Sequence, residues 1–392
     1  MEVYTLDSLL RRTQVVDQFD SLVWTERFQD IGDFELNVVS DAKNRSLFRP
    51  GTQLATNDSL RVMTVKIVED HTDDEGKEML KVVGDSLEQI LEDRVVKDTL
   101  VSQFSEWYLT GTPGDIARMM FDRVCRQGAL SLADKIPFLM PGTIFPEDTL
   151  PEPTTPILWS QAPDSLLTAL RNVCQTYDLG FRLVRNFDMS QLYFDIYPGN
   201  DRTSRQNELK PVIFAASLDS IQNTTEYSTI AGSKNVAYVF TEVASEQQYE
   251  IVYGENVDPD ISGFERRVLY INATDINGDV SADDISTQLI QKGVEALQNA
   301  RALELFDGEV NQHNQYKYGV DYELGDIVEL RNKDGVVTYK RVTEQIFASD
   351  ASGDRSYPTL AMDLFAGADT WLSWDSKPTV WSDFDTEFWS EM

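Results

Sequence analysis

Seven of the fourteen prolines in this 392-residue chain fall between Ile136 and Pro163, at Pro137, Pro141, Pro146, Pro151, Pro153, Pro156 and Pro163. Proline has no amide proton to donate, so no regular helix or central strand is expected across this stretch. The chain must cross it as an extended excursion, and regular structure has to be built on either side.

On the N-terminal side the pattern is strand-like. Residues 60–69 alternate, with Met63, Val65 and Ile67 on one face and Val62, Thr64, Lys66 and Val68 on the other. The acidic residues 70–77 turn and residues 79–83 return, which predicts a β-hairpin. Ser86 followed by Gln89 predicts a capping box opening a short helix through Ile90 and Leu91. Pro113 suits the first turn of a helix carrying Ile116, Met120 and Val124, with Gly128 as its stop. A second helix carries Leu166, Leu167, Leu170, Val173, Cys174 and Tyr177 and should end at Gly180, before strands at 181–184 and 192–197.

Residues 211–215 and 235–243 read as strands and 244–284 as acidic and polar loops. A long helix is expected over 281–306, with Ile290, Val294 and Leu297 at i, i+4 and i+7. Residues 315–348 are β again, with turns at Gly325-Asp326 and at Lys333-Asp334-Gly335. Parallel βαβ alternation is absent, which excludes a doubly wound sheet. The expected class is α+β.

The chain has 34 Lys+Arg against 66 Asp+Glu, a formal charge of −32. That balance opposes binding along a phosphate backbone, which relies on cationic side chains displacing counterions, and opposes docking on anionic lipid. Acidity alone admits a solubilising surface, adaptation to high salt, or a surface that must not hold DNA passing close to it. No window approaches the roughly 20 apolar residues that cross a bilayer. The start, MEVYTLDSLLRRT, lacks a hydrophobic signal core. Cys125 and Cys174 cannot form a disulfide scaffold. A soluble chain made in a reducing compartment is expected.

Chemistry-bearing motifs are sparse. There is no GxxxxGK[ST] loop, no GxGxxG and no HExxH. His71 and His313 lie in polar runs and read as solvated imidazoles; Cys174 shares an apolar helical face and reads as core. Residues 70–75 and 275–279 are acidic loops of the kind that can hold Ca²⁺, but neither completes an EF-hand pattern. Asn44 and Asn272 stand in Asn-x-Ser/Thr triplets that mean little without a secretory signal. No catalytic, cofactor-binding or metal-ligating residue is assigned.

Two segments are unusual as wholes. SLVWTERFQDIGDFELNV (21–38) places Trp24 in a strand, a turn at Gly32-Asp33, and a second strand carrying Phe34, Leu36 and Val38. YGVDYELGDIVEL (318–330) places the Gly325-Asp326 turn before Ile327, Val328 and Leu330. Between them Gly84, Ser86, Leu87, Glu88, Ile90, Leu91 and Arg94 form a third pattern. In this order, over roughly residues 1–365, they resemble the tail-tip or baseplate hub proteins of long-tailed phages, of the siphophage Gp37-like and tail-associated-lysin N-terminal type. In that family Trp24, Gly32, Asp33, Phe34, Gly325 and Asp326 would be structural signature positions.

The resemblance implies a homotrimeric ring whose tail-tube-like β-barrel modules continue the tail tube, with a peripheral helical domain. The corresponding divisions are 1–100 (with part of 201–240) as a first barrel module, 101–200 as an α/β insertion, 201–366 as a second barrel module, and 367–392 as an acidic tail. Implied partners are a distal tail or tail-tube protein, a tape-measure protein and tip or receptor-binding proteins. DNA would pass through the ring during ejection without specific binding, and the chain would reside in the virion after synthesis in the bacterial cytoplasm. Many such proteins carry a cell-wall-cleaving domain; with 27 residues after Phe365, none is expected here. Alternatives are a carboxylate-based cell-wall glycan hydrolase and a host-binding tail module.

The tail carries four of the seven tryptophans. Trp371, Trp374, Trp381, Phe384, Phe388 and Trp389 either cover their own subunit or act as anchors of a docking peptide, since aromatic side chains supply much of an interface's energy. A neighbouring subunit or another tip protein is the favoured receiving surface.

Overall fold

Period-two alternation of apolar side chains over short segments builds most of this chain into antiparallel sheet. The computed structural model describes residues 1–16, 18–72, 76–97, 107–126, 132–186, 191–218, 220–243, 246–254, 257–273, 276, 282–309, 316–331 and 337–362. The N-terminal part supplies β1 (Val3–Leu6), β2 (Arg12–Val16), β3 (Ser21–Arg27), β4 (Asp33–Val39), α1 (Ala42–Leu47), β5 (Gln53–Thr56), β6 (Val62–Thr72) and β7 (Glu78–Ser86). The middle supplies β8 (Val95–Val96), β9 (Trp107–Gly111), α2 (Pro113–Cys125), β10 (Leu139–Met140), β11 (Ile157–Gln161), β12 (Asp164–Ser165), α3 (Leu166–Thr176), β13 (Gly180–Asn186) and β14 (Gln191–Tyr197). The last part supplies β15 (Ile213–Ala215), β16 (Gln222–Thr229), β17 (Val236–Val243), β18 (Glu246–Tyr253), β19 (Val268–Asn272), α4 (Ala282–Asn299), β20 (Leu303–Glu309), β21 (Ile327–Arg331), β22 (Val337–Asp350) and β23 (Gly353–Met362).

Thirteen strands form one sheet in the order β16-β20-β23-β22-β3-β4-β7-β6-β5-β1-β2, with β21 also on β22 and β15 on β21. Pairing of β3 with β22, Trp24 opposite Phe347, joins the two ends of the chain into this sheet. Among the described residues β16 and β2 are its outer strands and do not pair with each other, so the expected barrels are not closed here. The architecture is mainly β with few helices.

One face of the sheet packs Leu22, Trp24, Phe34, Leu36, Val38 and Val82 into a core. A second core lies under α2 and α3 and also takes in Leu6, Leu10, Ala55, Val62 and Leu91 from the N-terminal strands. Both helices start on side-chain caps: Thr112 accepts from the Asp115 amide (3.2 Å), with Pro113 next, and Ser165 accepts from the Thr168 amide (3.1 Å). A three-stranded sheet, β18-β17-β19, lies on α4 through Ala237, Val239, Val252, Ile285 and Leu289.

Several expectations need correction. The β6–β7 hairpin forms, but a bulge between Val65 and Ile67 reverses the alternation. Met63 and Val65 are buried, while Ile67 is 59% exposed and Val68 takes over the inner face. Ser86 caps nothing: residues Leu87–Leu91 form a 3-10 turn, and the Ser86 hydroxyl accepts from the Gly32 amide instead (2.9 Å). The proline-rich stretch still yields β11, after Pro156, paired with β9. α3 stops at Thr176 rather than at Gly180, because Asp178 turns left-handed (φ 55°) and Gly180 already opens β13. Residues 244–284 are not all loop, since β18 and β19 both form there. The last long helix ends at Asn299, and Leu303–Glu309 is strand because β16 and β23 flank it and supply ladder partners. Gly128 and residues 332–336, expected as a helix stop and a hairpin turn, lie outside the described residues.

Candidate functional site

The Trp24 hairpin is built by close approach. Trp24 and Phe34 face each other in register with ring centroids 6.0 Å apart, both buried. Burying two such rings stabilises the hairpin by about 2–3 kcal/mol each. Trp24 Nε1 donates to Glu26 Oε1 (3.3 Å), so the indole enters the core with its one donor satisfied. Gly32 has no room for a side chain, since a Cβ there would stand 2.3 Å from the Thr25 carbonyl oxygen. Asp33 pairs with Arg27 (2.6 Å), which also holds Glu344 of β22 (2.6 Å).

The Gly325-Asp326 turn is equally tight. Gly325 lies at φ 89°, and a Cβ on Gly199 (φ 85°) would meet the Gly325 carbonyl oxygen at 2.2 Å. Asp326 is fully buried and accepts four hydrogen bonds. Its Oδ1 takes the Asn200 amide (2.8 Å) and Nδ2 (3.1 Å), and Oδ2 takes the Glu323 amide (3.0 Å) and Arg202 Nε (3.3 Å). Burial pushes its carboxyl up to about 6, against the pull of Arg202. Arg341 of β22 closes the arrangement by donating to the Pro198 (2.6 Å) and Gly325 (2.5 Å) carbonyls and to Asp178 Oδ2 (2.7 Å).

The third pattern reaches the same place. Phe34 lies over Gly84, where a Cβ would come within 2.7 Å of its ring. Glu88 is fully buried, pairs with Arg61 and accepts from the Leu183 amide (2.7 Å) of β13. Tyr318 donates to Glu26 Oε2 (3.0 Å) and lies 5.4 Å from Phe347, tying the C-terminal motif to the Trp24 hairpin. Phe28 is the wedge between them. Its ring fits against both Gly180 and Gly325, edge-on to Tyr197 (5.3 Å), with the Arg341 guanidinium 5.3 Å above it. Motifs separated by nearly 300 residues therefore meet at one junction between the large sheet and the α2–α3 region. Its buried charges are engaged in structural contacts: Glu88 with Arg61, Asp326 with Arg202, and Arg341 with Asp178.

Residues 1–359 match the family described as Siphovirus ReqiPepy6 Gp37-like protein. The chain belongs to this Gp37-like family. Its fold is similar to that of a tail protein from Neisseria meningitidis MC58 (11% identity, TM-score 0.57, covering 92% of this chain and 96% of that one). It is also similar to a 43 kDa tail protein of prophage MuSo2 from Shewanella oneidensis (12% identity, TM-score 0.53, 92% and 97% covered). No curated protein matches the chain.

Sequence reasoning had no signal for Phe28, Arg61 or Asp178 of this Gp37-like protein and only a weak one for Arg341, because their roles depend on residues far away in the chain. A charged Arg341 inside an otherwise strand-like run was the only clue. The tail residues Trp371, Trp374, Trp381, Phe384, Phe388 and Trp389 lie outside the described residues, as do His313 and all of the second acidic loop except Ile276. In the first acidic loop Asp70 accepts from Ser40 Oγ (2.8 Å) and pairs with Arg45 (3.1 Å), and Asp73, Asp74 and Glu75 lie outside the described residues. Cys125 and Cys174 are buried free thiols; burial pushes Cys125 up to about 12 and Cys174 higher still. Among the described residues no group of three or more His, Cys, Asp or Glu is placed to hold a metal ion, and no helix is long and apolar enough to cross a membrane.

Proposed function

We propose that this Gp37-like protein is a non-enzymatic structural hub of a phage tail tip or baseplate. Three copies form a ring that continues the tail tube and connects it to tip or receptor-binding proteins. Its proximal neighbours are a distal tail or tail-tube protein and the end of the tape-measure protein. DNA passes through without specific binding. The protein is synthesised in the host cytoplasm and ends in the virion.

The observation that carries this reading is the open thirteen-stranded sheet braced by the junction. β2 and β16 each have one strand neighbour among the described residues, and β2 is exposed over four of its five residues. An exposed edge presents unpaired backbone donors and acceptors, which a neighbouring copy or module can satisfy. Barrel-like modules would then close between subunits rather than within one. The charge of −32 fits the same reading: carboxylates around a passage repel phosphates and leave the genome no adhesive sites.

Light scattering and negative-stain imaging of the purified protein, alone and with its tail-tube neighbour, test the proposal. The expected result is a particle of three 44.5 kDa chains with a central hole. A solid or single-copy component in assembled tails would overturn it.

A further inference from the structure

Among the described residues the β18-β17-β19 sheet packs one face on α4, and no other helix or strand lies over its opposite face. Its inner face packs on α4, which in turn touches α3 and β11. Its outer face carries Tyr238 and Phe240 of β17, Tyr249 and Tyr253 of β18, and Tyr270 of β19, placed together by the registers Phe240–Tyr249, Val236–Tyr253 and Tyr238–Tyr270. Phe240 lies 5.9 Å from the Tyr249 ring and 5.2 Å from the Tyr270 ring, and Tyr270 is 65% exposed. A continuous aromatic face of this kind marks a binding surface rather than an ordinary solvated one.

The last described residue of the chain, Met362, lies near this sheet. β23 runs antiparallel to β20 with Ala361 opposite Leu305, so the described chain ends at Met362 close to the start of β20 and the end of α4. At that end the Lys234 amide donates to the Ala300 carbonyl (2.6 Å), which puts the start of β17 there too. The residues between Met362 and Asp369 can span about 20 Å when extended. The segment and the face are also complementary. The segment carries six aromatic residues with Asp369, Asp375, Asp383, Asp385 and Glu387 against a single Lys377. The face is bordered by Arg266, which donates to Tyr238 Oη (3.0 Å) and lies 5.8 Å from the Tyr238 and Tyr253 rings.

We propose that residues 369–389 lie across the outer face of the β18-β17-β19 sheet of their own subunit, their aromatic side chains on the tyrosine–phenylalanine face and their carboxylates toward Arg266. The sheet then has both faces covered, and the segment leaves the face only when a competing surface takes it.

The test uses the full chain with a photoreactive benzoylphenylalanine replacing Tyr270, mixed from isotopically light and heavy copies. Irradiation should join position 270 to peptides within 369–389, light to light and heavy to heavy. Mixed light–heavy products, or products mapping elsewhere, overturn the proposal. In parallel, acrylamide quenching of tryptophan is measured for the full-length parent, Phe240→Ser and Arg266→Glu. Both variants should quench severalfold more strongly than the parent as the four tail tryptophans become accessible, and unchanged quenching in both overturns the proposal.

Discussion

Replacing Gly325 by alanine strikes the junction where a left-handed backbone and a filled space coincide. The new Cβ would lie 2.5 Å from Cε2 of Phe28 and 3.1 Å from the Tyr197 ring, at a residue whose φ is 89°. The Phe28 ring is already packed closely against Gly180, where a Cβ would stand 2.1 Å from the same ring atom, and edge-on to Tyr197 at 5.3 Å. Left-handed backbone costs a non-glycine residue about 1–2 kcal/mol, and forcing a methyl group into filled space costs about 1–3 kcal/mol. Gly325→Ala should therefore destabilise the protein by about 2–5 kcal/mol. Phe28→Ala alone removes a buried ring and should cost about 3–5 kcal/mol, but it vacates the volume the new methyl needs. In that background Gly325→Ala keeps only its backbone strain, about 1–2 kcal/mol. The double-mutant cycle should thus show a coupling of about 1–3 kcal/mol that offsets part of the summed damage. Urea unfolding of the four proteins, followed by far-UV circular dichroism and compared at unchanged slope, measures it. A Gly325→Ala cost below about 1 kcal/mol, or the same cost in both backgrounds, would refute the wedge geometry.

Burial pushes the Asp148 carboxyl up to about 6, so the folded state holds that proton more tightly than the unfolded chain. The associated stability is present below about pH 4 and is lost as pH rises through 6. Asp148→Asn should match the parent near pH 4 and exceed it by about 1–2 kcal/mol at pH 8, after allowance for its partial exposure; melting temperatures across pH check this, and a gap independent of pH counts against it. Glu88→Gln breaks the fully buried pair with Arg61 and should cost about 3–5 kcal/mol, read as a lower urea midpoint. Asp326→Ala strands Arg202 and the donors of Asn200 and Glu323; a loss of about 3–5 kcal/mol is expected by the same assay, and a loss under 1 kcal/mol would show that the turn does not depend on this carboxylate.

What was legible in the sequence was local. Apolar alternation at Phe34, Leu36 and Val38 marks a strand wherever it occurs, and Pro113 or Leu166 with its helical repeats marks a helix. What was not legible was decided by partners. Glu246–Tyr253 looked like loop because its glutamates and glutamines hide the alternation of Tyr249, Ile251 and Tyr253, which becomes visible only once β17 lies beside it. Leu303–Glu309 continued a helical-looking run, but flanking strands on both sides supplied a ladder that local propensity could not outweigh. The bulge at Val65–Ile67 left no trace in composition and yet exchanged the faces of half a strand. The motif residues of the junction could be singled out, whereas their meeting point could not, because Phe28, Arg341 and Asp178 acquire their roles only from residues far along the chain.

The acidity can be located by the same reasoning. Among the described residues the buried charges are Arg61, Arg182, Arg185, Lys340 and Arg341 on one side, and Glu26, Glu88, Asp195, Asp326 and Glu329 on the other. They cancel. The excess of −32 therefore belongs to the remaining residues and is no by-product of the internal networks that hold the junction. Screening limits what that excess can do: at physiological salt a surface charge is felt over only about 8 Å. Phosphates passing farther away would meet a neutral wall. For the proposed ring the consequence is geometric, because carboxylates keep DNA from adhering only if the passage is narrow enough to hold the duplex within that distance of its wall. A ring much wider than the duplex would make the acidity a matter of solubility alone, and the width of the hole in an assembled particle decides between the two.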